Sequence, residues 1–286
     1  MIAIAKWYLN LLPAYPGEYL LREVPFEKPM MEYSDECSEF GFHRLFNHSL
    51  EFEGKSVLDL GCGNGGRTVR YKELGASRAV GLEVSQKMVV EARDFAASRG
   101  VEIEIVLGKG ESLPFPDDSF DTICSYDVFE HVESVDLCVQ ECYRVLKPGG
   151  TLYAVFPPFY HPTHGSHFSG YISHAPFDTL LFSPRTLMQA AEQIMVERNY
   201  TYRPNPLRPT DKIWVMNGIT LGKFRRILRA VPFSEKRVIY DPLLSPLRRQ
   251  WKRWHMRYYA WPFWVGSQIP IVNEICTHRI VAQLTK

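Results

Sequence analysis

Ser56-Val-Leu-Asp-Leu-Gly-Cys-Gly-Asn-Gly-Gly66 is the stretch of sequence that decides the fold. Its first half is largely apolar and ends at a carboxylate and a glycine cluster, which is typical of a buried strand that runs into a tight turn. Glycines at 61, 63 and 65 let the backbone turn sharply and approach a ligand closely. A helix pattern follows at once, and a helix N-terminus after such a turn binds nucleoside-like cofactors. The spacing also fits a dinucleotide site, so this stretch alone leaves the cofactor open.

Short strands alternate with helix patterns after residue 56, and this alternation predicts an α/β fold with a parallel, doubly wound sheet. The predicted strands are 56–60, 78–83, about 103–107, 121–126, 151–156, 237–241 and 276–285. Ser85, Ser134 and Ser183 are predicted to begin helices, and Gly100 is predicted to end one. The Lys-Pro-Gly-Gly run at 147–150 is predicted to separate a helix from the strand at 151.

Three further segments narrow the choice of cofactor. The second strand ends at Glu83, where a carboxylate can accept both hydroxyls of a ribose. That arrangement suits NAD as well as other adenosine cofactors. Two later segments, Leu-Pro-Phe-Pro at 113–116 and Val-Leu-Lys-Pro-Gly-Gly-Thr-Leu at 145–152, have no explanation in an NAD site.

Together with the glycine loop, these motifs resemble the class I S-adenosylmethionine-dependent methyltransferases, and most closely the type 11 methyltransferase domain. The resemblance covers about residues 50–157, with the motifs in the family's order. It implies a Rossmann-like, mostly parallel sheet of about seven strands with helices on both faces. It also implies methyltransferase activity with S-adenosyl-L-methionine as the cofactor.

The resemblance also implies which residues bind the cofactor. The glycine loop would contact its methionine and ribose parts, Asp59 would orient the amino group, and Glu83 would hold the ribose. The expected cofactor-binding residues are Asp59, Gly61, Cys62, Gly63, Gly65, Glu83, Val84, Gly110, Glu111, Tyr126 and Asp127. Lys109 departs from the family, which has an Asp or Asn there to accept a bond from the adenine; lysine has only donors. Either the backbone of Gly110 and Glu111 replaces that acceptor, or cofactor affinity is weakened.

Histidines are the candidate catalytic residues. His131 follows Glu130 after the fourth strand, and an imidazole there could take a proton from a methyl acceptor; its alternative role is to brace the loop. His164 and His167 lie in a histidine-rich segment and are candidates for a base or an acceptor contact. Their spacing also suits a metal, but Pro162 and Gly165 oppose a helical alignment, so no metal is expected.

Changes in pattern along the chain predict its organisation. We expect an N-terminal helical cap at 1–50, a cofactor-binding core at 51–157, a lid inserted after strand five at 158–217, and the rest of the sheet at 218–286 with an aromatic, basic insertion at about 244–270. Residues 1–150 hold 15 Lys and Arg against 25 Asp and Glu, whereas residues 151–286 hold 18 against 7. The basic half suits an acidic substrate, a phospholipid surface or nucleic acid as a partner. Electrostatic attraction between the acidic and basic halves explains the charge asymmetry equally well.

The acceptor is predicted from the lid. Its aromatic residues favour a small, apolar or aromatic acceptor that is methylated on oxygen or carbon, although some of them would fill the lid's own core. These residues are Phe159, Tyr160, Phe168, Tyr171, Phe177 and Phe182. One alternative is a lipid-directed enzyme that contacts an anionic membrane through residues 219–264. An RNA methyltransferase is less favoured, because a pI of about 7.7 lies below the range of basic nucleic-acid-binding domains. A non-catalytic binding module is a further, less favoured alternative.

Composition points to the compartment. The six cysteines lack Cys-x-x-Cys spacing, which favours a reducing environment. No apolar run reaches the length of a membrane span, and the first residues lack the pattern of a secretory signal. We therefore expect a cytoplasmic protein with peripheral membrane contact as an option, and the oligomeric state stays open.

Overall fold

A computed structural model describes residues 1–14, 27–37, 45–46, 50–161, 168, 172–199, 216–242, 261–262, 264–267, 269 and 272–286. The strands are β1 (Ser56–Leu60), β2 (Arg78–Glu83), β3 (Glu104–Leu107), β4 (Phe120–Tyr126), β5 (Leu146–Phe156), β6 (Glu235–Pro242) and β7 (Thr277–Thr285). The helices are α1 (Ile2–Leu9), α2 (Glu27–Cys37), α3 (Gly66–Glu73), α4 (Gln86–Arg99), α5 (Val135–Val145), α6 (Asp178–Leu181), α7 (Pro184–Glu197), α8 (Leu221–Ala230) and α9 (Asn273–Cys276).

The strands form one seven-stranded sheet in the order β3-β2-β1-β4-β5-β7-β6. Strands β1 to β5 pair in parallel. The start of β5 meets the end of β7, where the Gly149 amide donates to the Lys286 carbonyl, so these two strands run in opposite directions. The predicted Rossmann-like sheet is confirmed, with this reversal making it mixed. Because the order reverses between β1 and β4, the carboxyl ends of these two strands are where such a sheet binds its ligand.

Both faces of the sheet are covered, which explains why all five residues of β1 are buried. On one face Val57, Ala79 and Cys124 pack with Tyr71 of α3. On the other face Leu60 lies near Cys138 of α5, since both side chains contact the position that a Cβ on Gly110 would take. Phe224 of α8 covers the same face, with its ring centroid 5.0 Å from that of Phe156.

The predicted helix boundaries of the cofactor-binding half are confirmed because their capping residues act as expected. The Ser85 hydroxyl accepts from the amide of Met88 at 3.5 Å and begins α4, and Gly100 ends it in the left-handed conformation. Ser134 begins α5 in the same way, with a 3.4 Å bond from the amide of Leu137.

Strand β5 differs from its prediction. It begins at Leu146, not at residue 151, so the Lys-Pro-Gly-Gly run lies inside the strand. The register explains this difference: Phe120 pairs with Leu146 but Thr122 pairs with Thr151, which leaves an irregular loop of β5 residues opposite Asp121. Gly150 has no Cβ, and a Cβ there would lie 3.1 Å from the carbonyl oxygen of Phe120. The missing side chain therefore lets this loop pass close to β4.

The chain separates into two compact units. One contains residues 24–156, 224–239 and 281–286, and therefore the whole glycine loop. The other contains residues 1–23, 157–223 and 240–280, with a core in which α1 and α7 pack together around Leu9, Ala190 and Ile194. These units cut across the segments expected from the sequence, whose boundaries stay a prediction. Among the described residues, no helix combines the length and the apolar character that crossing a membrane requires.

Candidate cofactor site

The glycine loop is built at the carboxyl end of β1. Gly61 has a φ of +72°, and its amide donates to the carbonyl of Leu82 at 2.8 Å. A Cβ on Gly61 would lie 2.4 Å from a methyl group of Val128, in the loop after β4. Only glycine therefore satisfies both the left-handed backbone and this close approach. The loops after β1 and β4 meet here, at the point where the strand order reverses.

Helix α2 packs against the end of the glycine loop. A Cβ on Gly66 would lie 2.1 Å from the carbonyl oxygen of Pro29, so α2 and the first turn of α3 are in direct contact. This contact brings Glu32 to the loop. One of its carboxylate oxygens accepts from the Gly66 amide at 3.2 Å, and the other lies 3.1 Å from the Cβ position of Gly63.

Glu83 lies on the other side of the same loop, at the end of β2. Its Oε2 accepts from the Gly63 amide at 3.1 Å, and its Oε1 accepts from the amides of Val84 and Ser85, both at 2.9 Å. The side chain is buried, and this burial raises the pKa of Glu83, while the three amide donors work in the opposite direction. The amides hold the carboxylate in one orientation beside the loop.

Asp59 is buried in β1 beneath the loop. The Thr68 hydroxyl donates to its Oδ2 at 2.6 Å. Burial raises the pKa of Asp59 to about 6, although this hydrogen bond and the positive charge of Arg67 both lower it. Burial likewise raises the pKa of Glu32 to about 7 against the charge of Arg67 and the Gly66 hydrogen bond, and the charges of Asp59 and Glu83 raise it further. The three carboxylates thus share one electrostatic environment.

Arg67 is the cation of this environment. Its guanidinium carbon lies 4.3 Å from the ring centroid of Tyr126, within cation–π distance. Burial opposes its charge, but attraction to Glu32 and Asp59 raises the pKa of Arg67 above its ordinary value. Tyr126, one of the expected cofactor-binding residues, is thereby held at the end of β4.

Asp127 and the Gly110 loop complete the set of expected positions. Asp127 has a φ of +54°, a left-handed conformation that aspartate adopts more readily than most residues, and its amide donates to the Val155 carbonyl at 2.8 Å. Gly110 is buried against α5. The Glu111 carboxylate accepts from the amides of Glu133 and Ser134, so it organises the loop before α5. The exposed ammonium of Lys109 lies 3.7 Å from a Glu133 carboxylate oxygen.

The expected catalytic histidines are described only in part. His131 lies in the loop after β4, 14% exposed, with its Nε2 3.8 Å from an oxygen of the fully buried Glu130. His164 and His167 lie outside the described residues. Of the same histidine-rich segment, His161 is buried, and its Nε2 lies 2.9 Å from Nδ1 of His278 on β7.

Cys62, in the glycine loop, has a side chain that packs in an apolar cluster while its thiol donates to the Gly63 carbonyl at 3.9 Å. It is buried with Val89 and Ala92 of α4 and Ile105 of β3. Burial raises the pKa of this thiol well above its ordinary range, so the thiol is a packing group and not a nucleophile at neutral pH.

These residues fit S-adenosylmethionine. A loop that no Cβ could occupy at Gly61 provides room for close backbone contact, and Glu83 provides a buried acceptor for hydroxyl groups. The cofactor carries a positive sulfonium, and the carboxylates of Glu32, Asp59 and Glu83 outnumber Arg67 around the loop. The charge, the acceptors and the shape agree with the chemistry of this ligand.

Known methyltransferases are similar in sequence to this chain. Residues 58–154 match the methyltransferase domain family of type 11. The chain is 35% identical over 116 residues to a sterol 24-C-methyltransferase of Pneumocystis carinii, an alignment that covers 40% of this chain and 30% of that enzyme. It is 36% identical over 118 residues to a ubiquinone biosynthesis O-methyltransferase of Agrobacterium fabrum, covering 41% of this chain and 46% of that enzyme. The chain thus spans less than half the length of these relatives.

A solved structure supports the fold independently. The crystal structure of an S-adenosylmethionine-dependent methyltransferase from Mesorhizobium loti superimposes with a TM-score of 0.57 at 21% identity, covering 87% of this chain and 97% of that one. Residues 58–154 are therefore similar to a type 11 methyltransferase domain, and the chain shares the fold of that S-adenosylmethionine-dependent methyltransferase.

Sequence reasoning did not find Glu32 and Arg67. Arg67 directly follows the glycine loop, and its position at the start of α3 was a signal that could have been used. Glu32 had no comparable signal, because only the packing of α2 on α3 brings it to the loop.

Proposed function

We propose that this chain transfers the methyl group of S-adenosylmethionine to an oxygen or a carbon atom of a small, apolar or aromatic acceptor. The observation that carries the proposal is the meeting of the glycine loop, Glu83 and the loop after β4 at one edge of the sheet. The activities that name these relatives, on a sterol carbon and a ubiquinone-pathway oxygen, support a lipophilic acceptor. Each alignment covers about two fifths of this chain, so the acceptor is part of the proposal.

The aromatic segment after β5 is the part of the chain that we propose to contact the acceptor. Phe159 is buried, and Phe177 is exposed. Phe168 and Phe182, in contrast, pack in the core with α1 and α7, so these two fill the interior of their own unit. Tyr171 lies outside the described residues. The interpretation of this segment as a lid stays part of the proposal.

The chemistry follows from the site. S-adenosylmethionine supplies a methyl group on a positively charged sulfur that leaves as a neutral thioether. Glu83 and the glycine loop bind and orient the donor, since methyl transfer depends on alignment and the exclusion of water. His131 is the proposed general base: it takes the proton of the acceptor oxygen, or of the acceptor carbon, as the new bond to the methyl group forms. Glu130 beside it would stabilise the resulting imidazolium.

The test is a methyl-transfer assay with isotope-labelled S-adenosylmethionine and three acceptors: a phenolic quinone precursor, a sterol and a folded RNA. We expect label in one of the two lipophilic compounds, with mass spectrometry locating the methyl group. His131→Asn should lower kcat by roughly 100- to 10,000-fold with unchanged cofactor affinity. Label in the RNA alone would replace the small acceptor, and an unchanged kcat would remove His131 as the base.

A peripheral membrane enzyme is the second candidate. Helix α8 buries Phe224, Ile227 and Leu228 and exposes Lys223, Arg226 and Arg229, which gives part of residues 219–264 a basic outer surface. Sedimentation with vesicles that contain anionic phospholipid tests this candidate. We expect Arg226→Glu with Arg229→Glu to weaken binding, and Arg185→Glu on α7 to leave it unchanged; failure of the wild-type protein to sediment would exclude it. A cytoplasmic location is kept as a prediction.

A further inference from the structure

The carboxylate of Glu32 has no role in the proposed reaction as described so far, yet it lies directly at the glycine loop. Gly63 stands between two carboxylates: Glu83 accepts from its amide at 3.1 Å, and Glu32 lies 3.1 Å from the position its Cβ would occupy. Helix α2 therefore forms a wall of the cofactor site that is not part of the sheet.

We propose that Glu32 is a cofactor-binding residue that recognises the positive charge of S-adenosylmethionine and thereby favours this donor over its uncharged thioether product, S-adenosylhomocysteine. This inference rests on the proposed methyltransferase function and deepens it. It gives Glu32 a role in distinguishing the substrate from the product and no role in the methyl-transfer step.

The charges around Glu32 support this role. Asp59 of β1 and Glu83 of β2 act on it as like charges, and Arg67 of α3 is the cation that acts on it. Three carboxylates against one guanidinium leave an excess of negative charge when all are ionised. A ligand with a sulfonium adds one positive charge to this environment, and a ligand with a thioether does not.

A purely structural role for Glu32 is the alternative. Its bond from the Gly66 amide could serve only to cap α3, whose N-cap residue Gly65 has no side chain to do so. The two roles predict different effects of Glu32→Gln on cofactor affinity. The glutamine oxygen can still accept from Gly66, so a cap would survive, but the charge would be lost.

The effect of burial on the stability of the unliganded protein also distinguishes the two roles. Because burial raises the pKa of Glu32 to about 7, the unliganded fold favours its neutral form. A neutral glutamine should therefore leave the unliganded protein at least as stable at pH above about 7 as the wild type. Loss of affinity without loss of stability is the signature of a group that acts on the ligand's charge.

The experiment measures the affinities of S-adenosylmethionine and S-adenosylhomocysteine by isothermal titration calorimetry. For Glu32→Gln we expect Kd for S-adenosylmethionine to rise roughly 10-fold and Kd for S-adenosylhomocysteine to change by less than about 3-fold, with an unchanged or higher Tm. Glu102→Gln, an exposed carboxylate just before β3, is the matched control and should change neither affinity. Equal losses for both ligands, or no loss for either, would overturn the inference.

A second measurement does not depend on the variant. In the wild-type protein, the preference for S-adenosylmethionine should fall as pH decreases from about 7.5 to about 5.5, since protonation neutralises Glu32 and then Asp59 while Arg67 stays charged. A constant preference would count against the inference even if Glu32→Gln did not fold. If the wild-type protein bound neither ligand, the proposed function would fail instead.

Discussion

Glu83→Gln removes one negative charge from the end of β2 and leaves the shape of the side chain nearly unchanged. In the wild-type protein Oε1 accepts from Val84 and Ser85, and Oε2 accepts from Gly63. The amide oxygen of glutamine can serve the first two donors, but its NH2 group cannot accept from Gly63. One half-buried amide therefore loses its partner, which costs up to about 3 kcal/mol of stability.

Two measurements follow from this substitution. Differential scanning fluorimetry of the unliganded protein should show a Tm lower by about 2–10 °C, from that free-energy loss. Isothermal titration calorimetry should show S-adenosylmethionine bound roughly 10- to 100-fold more weakly, because hydrogen bonds to a charged acceptor contribute about 1.5–3 kcal/mol. Glu104→Gln is the matched control on the neighbouring strand, where the carboxylate is exposed and pairs with Arg78 at 2.8 Å.

The two readouts separate fold from function. A lower Tm with unchanged affinity would show that Glu83 only organises the loop. Unchanged affinity together with an unchanged Tm would refute the reasoning entirely, since both the Gly63 bond and the ribose contact would then be dispensable. An equal effect of Glu104→Gln would assign the loss to net charge and not to the site.

Three further predictions concern the same half of the chain. Gly61→Ala should abolish detectable cofactor binding, because its Cβ would lie 2.4 Å from Val128; calorimetry with wild-type affinity would show that the two loops can move apart. Asp59 has a folded pKa of about 6, above its unfolded value, so its stabilising contribution is present below about pH 4 and is lost as pH rises through 6. Urea unfolding should accordingly show Asp59→Asn gaining more stability relative to the wild type at pH 7.5 than at about pH 4.5, and a constant offset would contradict this. Ser85→Ala should cost about 1 kcal/mol in the same assay by removing the cap of α4.

Much of the fold could be predicted because local signals agree with tertiary structure. Strands β1 and β2 have the bounds that the apolar pattern indicated, and α4 begins and ends at the residues whose chemistry favours caps. Strand β5 shows where local signals are insufficient. Pro148 and the two glycines after it are typical of a break between elements, yet the pairing of Leu146 with Phe120 extends the strand past them.

The candidate site could likewise be predicted in part. Glu83 and the glycine loop follow from order and spacing along the chain, which a sequence displays directly. Glu32 does not, because its position depends on how α2 packs across the first turn of α3, where the contact is between Pro29 and Gly66. A carboxylate that reaches a site through helix packing leaves no spacing pattern to detect.

The buried thiol of Cys62 has a practical consequence. Because its side chain is packed from the glycine loop against α4 and β3 and its ionisation is suppressed, a thiol-reactive dye can modify it only when that loop opens locally or the domain unfolds. Cys124 is buried in the adjacent strand β4, and we expect its exposure to require opening of the sheet. The labelling rates of these two natural thiols, measured with and without ligand, would distinguish breathing of the loop from unfolding of the sheet without any engineered probe.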